Sequence, residues 1–189
     1  EMVGAYTMNV HVRSTHYNPD DFFNDYILKS VGYLYENYGL LGYDSAVLTH
    51  DIEYGDYGLI EATMGTMTMC VGGMLEVILV AMELYEADTG DSSVWDFLPE
   101  RSWERLGAGD LKAHLWVNYD LHSGGTADAL RHFGMGENIG FKDLMPGAFI
   151  NFNRESGTGH AVVFMSFIDI AGNESEIWHE GVVGFKYLS

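Results

Sequence analysis

Apolar and polar residues alternate over residues 8–13, and this period of two predicts a β-strand. Residues 18–21 read Asn-Pro-Asp-Asp, which is typical of the start of a helix. Apolar residues then recur at helical spacing until Gly39 and Gly42, so a first helix is predicted over this stretch. Residues 43–68 are rich in Gly, Asp and Tyr without a clean period, which indicates an ordered loop region that helps to wall a cleft.

The strongest helical pattern begins at Cys70 and is predicted to run to about Glu86, where the Asp-Thr-Gly sequence at 88–90 stops it. The apolar stripe of this helix comprises Val71, Met74, Leu75, Ile78, Met82 and Tyr85, with Glu76 and Glu83 opposite. Such a stripe has to be buried against another layer of structure.

The second half of the chain contains shorter patterns. They predict a helix over residues 125–134, a turn over 144–147, an alternating strand over 148–153 and an apolar strand over 161–168. His160 opens the apolar strand, whose near-continuous apolar character favours a central position in a sheet. A hairpin turn at residues 171–174 then returns the chain towards Tyr187.

Composition favours one domain over residues 1–189, because 47% of the residues are hydrophobic and suffice for a buried core. Nine Lys and Arg against 28 Asp and Glu give a net charge of −19, which repels nucleic acid and anionic lipid headgroups. The longest uninterrupted apolar run covers residues 77–82, far below the roughly 20 residues that span a bilayer. No nucleic-acid partner and no membrane span are therefore expected.

Cys70 is the first candidate catalytic residue. As the single cysteine it can form neither an internal disulfide nor a thiolate zinc cluster, and a lone cysteine is often a small buried hydrophobe. Its predicted place in the first turn of a helix favours the thiolate, since backbone N–H groups and the helix dipole attract negative charge there. The same N–H groups could hold an oxyanion, and Gly72 and Gly73 permit close approach of a substrate.

A thiolate nucleophile needs a base, and His160 has the best setting among the histidines. It follows the polar, glycine-containing stretch 155–159 at the mouth of the apolar strand, where its ring can reach a cleft. The alternative is a strand-end histidine bonded to a loop carbonyl. Four other histidines lack such a setting and are expected at the surface or in packing: His11, His16, His114 and His122.

Other constellations are weaker. Asp128 and His132 stand four apart on a predicted helix and could share a metal, but a solvated or capping pair is the favoured interpretation. The adjacent residues His50 and Asp51 could likewise share a metal, but a structural pair is again favoured. No metal site is therefore predicted. Gly134, Gly136 and Gly140 lack the spacing of a dinucleotide fingerprint, and no phosphate loop exists.

The layout of these candidates resembles the NlpC/P60 and CHAP-like amidases and peptidases of the papain-like fold. Three features carry the resemblance: a cysteine opening a helix at residues 69–75, a Leu-x-Pro-Gly turn at 144–148, and a glycine-flanked histidine opening an apolar strand at 157–164. The resemblance covers about residues 65–189. It implies an α+β, papain-like domain in which the nucleophile helix packs on an antiparallel sheet.

The chain departs from the family pattern at Ala148 and Met69, where the family commonly has Asp. The family also has a third, polar residue that orients the histidine ring. The candidates here are His179, Ser189 and Asp169. A hairpin that turns near residues 172–173 would place residues around 185 opposite His160, which favours a third residue near Ser189 or beyond.

The resemblance implies a cysteine amidase or endopeptidase in which Cys70 attacks an amide carbonyl and His160 protonates the leaving amine, with no cofactor. It suggests peptidoglycan peptides as substrate, secretion or delivery to the bacterial periplasm as an antibacterial effector, and an immunity protein as partner. Two alternatives stay open: a toxin-type deamidase or transglutaminase acting on a host protein, and an inactive relative that binds peptide or glycan.

Overall fold

The computed structural model describes residues 6–10, 23–38, 44, 47–63, 68–97, 107, 125–132, 135–153 and 159–189. Within these ranges the chain combines helices with an antiparallel sheet, which confirms the α+β class. The predictions for residues 11–13 and 18–21, and for the four histidines at 11, 16, 114 and 122, lie outside the described residues.

Three α-helices occur in the described ranges: α1 (Asn24–Asn37), α2 (Cys70–Thr89) and α3 (Thr126–His132). Each corresponds to a predicted helix: α1 and α2 were predicted from apolar spacing, and α3 from the glycines that flank it. Helix α2 begins at Cys70 as predicted and extends past Glu86, because the residue that stops it is Gly90. Gly90 adopts a left-handed φ of +72°, and its N–H donates to the Glu86 carbonyl over 2.7 Å.

The strands form one large sheet and one small hairpin. They are β1 (Tyr6–Val10), β2 (Ile52–Tyr54), β3 (Gly58–Ile60), β4 (Gly136–Ile139), β5 (Phe149–Asn153), β6 (Gly159–Asp169), β7 (Glu174–Ser175) and β8 (Val182–Leu188). The large sheet has the order β4-β1-β5-β6-β7, with β8 also paired to β6, and its described pairings are all antiparallel. Strand β6 is thus central, as its apolar sequence predicted.

Strand β6 separates two apolar clusters, because successive side chains of a strand point to opposite faces. Ala161 and Val163 belong to the larger cluster, which contains the buried residues of α1 and α2. Val162 and Phe164 belong to a smaller cluster. The side of the sheet that carries Ala161 and Val163 is called the inner face here, and the opposite side the outer face.

Helix α2 packs against β6 and is buried on nearly every side along its first thirteen residues. Glu76, which the helical pattern placed opposite the apolar stripe, is buried with its neighbours. Helix α1 covers one flank of α2, where the Ser30 hydroxyl donates to the Val77 carbonyl over 2.8 Å. Among the described residues, no helix has the combination of length and apolar character required to cross a membrane.

The region predicted as a loop at residues 43–68 contains the β2–β3 hairpin. Its strands have three residues each, too few to produce a recognisable alternation in the sequence. Ile52, Tyr54 and Ile60 are nevertheless buried in the larger cluster. The hairpin therefore helps to close the core rather than forming a separate surface loop.

The return of the chain after β6 differs from the prediction. Phe185 lies opposite Phe167, not opposite His160, and Leu188 lies opposite Val163. The prediction was wrong because the hairpin turn leads only into the two-residue strand β7, and the strand that runs back along β6 towards His160 is β8, which begins only at Val182. The residue of β5 that pairs with His160 is Phe152.

Gly147, in the predicted Pro-Gly turn, connects α1 with the sheet. Its N–H donates to the Phe164 carbonyl over 2.9 Å, and Asn24 Nδ2 donates to the Pro146 carbonyl over 3.0 Å. The φ of Gly147 is +88°, and a Cβ on this residue would lie 2.6 Å from the Asn24 carbonyl oxygen. Glycine is required here by both conformation and close packing.

We expect Gly147→Ala to lower the free energy of unfolding by about 2–5 kcal/mol, since left-handed strain and a backbone clash add together. Gly172→Ala is the matched control, because Gly172 has a φ of +84° with open space around its Cα. The control should lose only about 1–2 kcal/mol. Urea unfolding measures the free energy of unfolding of both variants. Equal losses of stability would mean that the contact with Asn24 is unimportant.

Glu83 on α2 makes the stability depend on pH. Burial raises the pKa of its carboxyl above the ordinary 4.5, a shift that His50 opposes and Glu53 increases. The folded chain therefore keeps this proton where the unfolded chain has lost it, and the unfolding free energy falls as the pH rises through that interval. Glu83→Gln should be more stable than wild type at neutral pH. In urea unfolding across a pH series, this advantage should disappear below about pH 4.

Candidate functional site

Cys70 is the first residue of α2. The preceding residue, Met69, is extended, with φ −119° and ψ 168°, and makes no side-chain capping hydrogen bond. The first helical bond runs from the Gly73 N–H to the Met69 carbonyl, over 2.7 Å. This is the helix-start position predicted for the nucleophile, where backbone N–H groups favour an anion.

The Cys70 residue is only 4% exposed and belongs to the larger apolar cluster with Ala161 and Val163. Its thiol has no hydrogen-bond partner among the residues that the structure describes. Cys70 therefore lies on the inner side of the sheet, packed as a small apolar group.

His160 lies at the start of β6, as predicted, but its side chain is on the outer face. It precedes Ala161, which is on the inner face. Its partner across the sheet is Phe152, which packs against the outer cluster. The His160 ring lies edge-on to Tyr187 with 6.4 Å between ring centroids, and Tyr187 pairs with Phe164 of the outer cluster. The structure thus does not bring the His160 ring together with Cys70.

The three candidates for a histidine-orienting residue differ in position: Asp169 and His179 are remote from His160, whereas Ser189 follows Leu188, which pairs with Val163 near His160. Asp169 ends β6 at the opposite end of the strand, where it accepts hydrogen bonds from the backbone N–H groups of Ala171 and Asn173. The side-chain and backbone hydrogen bonds from Asn173 lower the pKa of the Asp169 carboxyl. His179 is exposed, and its Nδ1 accepts from the Gly181 N–H over 3.2 Å. Ser189 follows the end of β8 and is exposed.

Residues from the two pairs considered as possible metal ligands, at positions 128/132 and 50/51, make hydrogen bonds within the protein. Asp128 accepts a hydrogen bond from Arg131 over 2.8 Å, and the side chain of His132 lies outside the described residues. Asp51 accepts the Ala62 N–H over 2.8 Å. Among the described residues, no group of three or more His, Cys, Asp or Glu side chains could hold a metal ion.

Sequence reasoning missed the partner of His50. His50 Nδ1 lies 2.9 Å from Oε1 of Glu76, 26 positions later in the chain, rather than acting with the adjacent Asp51. The available signal was the acidic residue within an otherwise apolar stretch of α2. A buried carboxylate requires donors, but the sequence does not say which residues supply them.

Comparisons of the chain with protein-family models, with curated proteins and with solved structures find no match. The similarity to NlpC/P60 and CHAP-like enzymes consequently stands on the three sequence features alone.

We expect the buried Cys70 thiol to react more slowly with iodoacetamide in the native protein than in urea-unfolded protein, because the reagent must reach sulfur through packed side chains. Mass spectrometry of the intact chain follows the reaction, and the single cysteine makes each adduct unambiguous. A native rate equal to or above the unfolded rate would contradict this expectation and indicate an open, activated thiol.

Proposed function

We propose that the chain is a cysteine hydrolase similar to the NlpC/P60 and CHAP-like enzymes, with Cys70 as nucleophile and His160 as base. The observation that carries the proposal is the position of Cys70: it opens the long helix α2, which packs on the central strand that begins at Gly159 and His160. This is the arrangement of elements that the three sequence features imply.

In the proposed reaction His160 takes the proton of the Cys70 thiol, the sulfur attacks an amide carbonyl, and N–H groups at the start of α2 stabilise the oxyanion. The carbon–nitrogen bond then breaks as His160 transfers a proton to the leaving amine. Water hydrolyses the resulting thioester and restores the thiol. The proposed substrate is peptidoglycan peptide, with secretion or periplasmic delivery and an immunity protein as a partner. These parts of the proposal come from the resemblance.

The two faces of β6 set a condition on this mechanism. The His160 ring projects to the outer face, whereas Cys70 lies on the inner side. A strand changes the face of every side chain when its register shifts by one residue. The mechanism therefore requires an orientation of His160 different from the one in this structure, so that its ring can reach the Cys70 sulfur.

A second candidate function follows from the same geometry. Burial of Cys70 at 4% exposure and the outer position of His160 favour an inactive relative that binds peptide or glycan without cleaving it. In that case Cys70 is a packing residue, and the chain keeps the family's arrangement of elements without catalysing a reaction.

Digestion of purified peptidoglycan separates the two candidates. We expect wild type to release peptide fragments, and Cys70→Ala and His160→Ala each to lose at least about 100-fold in rate, since both groups take part in bond cleavage. His179→Ala is the matched control, because His179 is an exposed histidine in a turn. Fragments are identified by mass spectrometry.

Each result has a distinct meaning. Loss in Cys70→Ala with full activity in His160→Ala would assign the base to another residue. Intact wall that still binds the protein would support the binding relative. Intact wall without binding would reject peptidoglycan and direct the search to a protein glutamine as acyl donor.

A further inference from the structure

Glu76 and His50 form a buried carboxylate–imidazole pair apart from Cys70. The Glu76 side chain is 3% exposed, and its Oε1 lies 2.9 Å from His50 Nδ1. The same oxygen accepts the Thr49 backbone N–H over 2.9 Å and the Thr49 hydroxyl over 2.5 Å. One buried oxygen thus meets three polar groups from two consecutive residues.

These contacts determine which nitrogen of His50 carries the proton when the ring is neutral. An ionised carboxylate can only accept hydrogen bonds, so Nδ1 must donate to Glu76 Oε1. The Thr49 hydroxyl donates its single hydrogen to Glu76 Oε1, so it cannot also donate to Nδ1 across their 3.2 Å separation. Nδ1 therefore holds the proton, and Nε2 presents a lone pair.

The His50 ring has a fixed orientation but remains partly accessible to solvent. Tyr38 stacks on it, with 4.0 Å between centroids and 11° between planes. The His50 side chain is 19% exposed, and no hydrogen bond to its Nε2 occurs within the described part of the chain. A carboxylate bonded to one ring nitrogen fixes the tautomer and the orientation of the imidazole, as in histidine ligands and catalytic histidines.

The backbone before His50 holds a costly conformation. Leu48 has a φ of +65°, which is rare for a bulky residue without a local hydrogen-bonding side chain. Both flanks of the turn are tied to neighbouring chain: the Val47 N–H donates to Thr63 Oγ1, and the Ala62 N–H donates to Asp51. Strain of this kind persists where the surrounding structure imposes it, and it concentrates at functional sites.

The charges around the ring indicate which molecules could approach it. Glu83 is close enough to His50 for their charges to interact, and Glu53 interacts in turn with Glu83. Together with Glu76 they make the surroundings acidic, within a chain of net charge −19. Phosphate and carboxylate groups are repelled, whereas neutral and cationic molecules are not.

From these observations we propose that His50, oriented by Glu76, is a general base that activates water against neutral or cationic acyl compounds, independently of Cys70. Nε2 takes a proton from water as the water oxygen bonds to the acyl carbon. The bond from that carbon to the leaving oxygen breaks, the leaving group departs as an anion, and the imidazolium returns its proton to solvent. Glu76 stays ionised throughout and stabilises the imidazolium.

The test uses the full chain carrying Cys70→Ala, so that the thiol contributes nothing and the outcome does not depend on the proposed cysteine hydrolase. The substrates are p-nitrophenyl esters of acetate, glycine betaine and succinate, which are neutral, cationic and anionic. His50→Gln should lower the protein-dependent rate on the neutral ester by about tenfold or more. Glu76→Gln should lower it less, and His179→Gln, which alters an exposed histidine whose Nδ1 accepts the Gly181 N–H, should leave it unchanged.

Relative to its uncatalysed hydrolysis, the cationic ester should be accelerated more by the protein than the anionic one, and salt should reduce this preference. Should His50→Gln fail to fold, carbethoxylation of His50 in the folded Cys70→Ala protein replaces it, with peptide mass spectrometry counting the modified fraction. Activity that falls in proportion to His50 modification supports the proposal. Activity that survives complete modification of His50, or that falls equally in His179→Gln, overturns it and leaves the pair a structural clamp.

Discussion

The burial of α2 against β6 is the contact on which the rest of the described structure depends. Nearly every side chain in the first thirteen residues of the helix is excluded from water. Each fully buried Val, Leu, Ile or Met side chain contributes about 1.5–3 kcal/mol relative to exposure. Helix α1 and the β2–β3 hairpin also cover the helix, and their buried residues join the same cluster. A helix surrounded in this way leaves little room for polar groups, so the few it contains require specific partners.

Glu76 is the clearest case. A carboxylate inside this layer would be strongly destabilising if it were unpaired, and Thr49 and His50 supply the donors that offset its desolvation. Those donors lie on a turn whose Leu48 is in a left-handed conformation. Burial of one acidic side chain thus holds Thr49 and His50 in place before the β2–β3 hairpin, and it also orients the His50 imidazole.

The alternation of β6 governs how the proposed chemistry at Cys70 can work. Ala161 and Val163 face the helix, so His160 faces away from it. A histidine one position later would have faced the helix without any change of register. The proposed cysteine hydrolase therefore requires a rearrangement at the start of the strand, while the His50 pair is already assembled. The two sites differ in this respect, although both depend on α2.

The amino-acid sequence by itself determined the local elements: the start of α2 at Cys70, its stop at Gly90, the Pro-Gly turn at Gly147 and the apolar strand opened by His160. These follow from spacing and from backbone chemistry that acts over a few residues. The face on which His160 lies, the residue opposite Phe185 and the partner of Glu76 were decided only by the tertiary structure. Each depends on strand register or on contacts between residues far apart in the chain. A one-residue shift in register reverses the outcome without altering the local pattern, which is why the sequence could nominate Cys70 and His160 but could not establish that they meet.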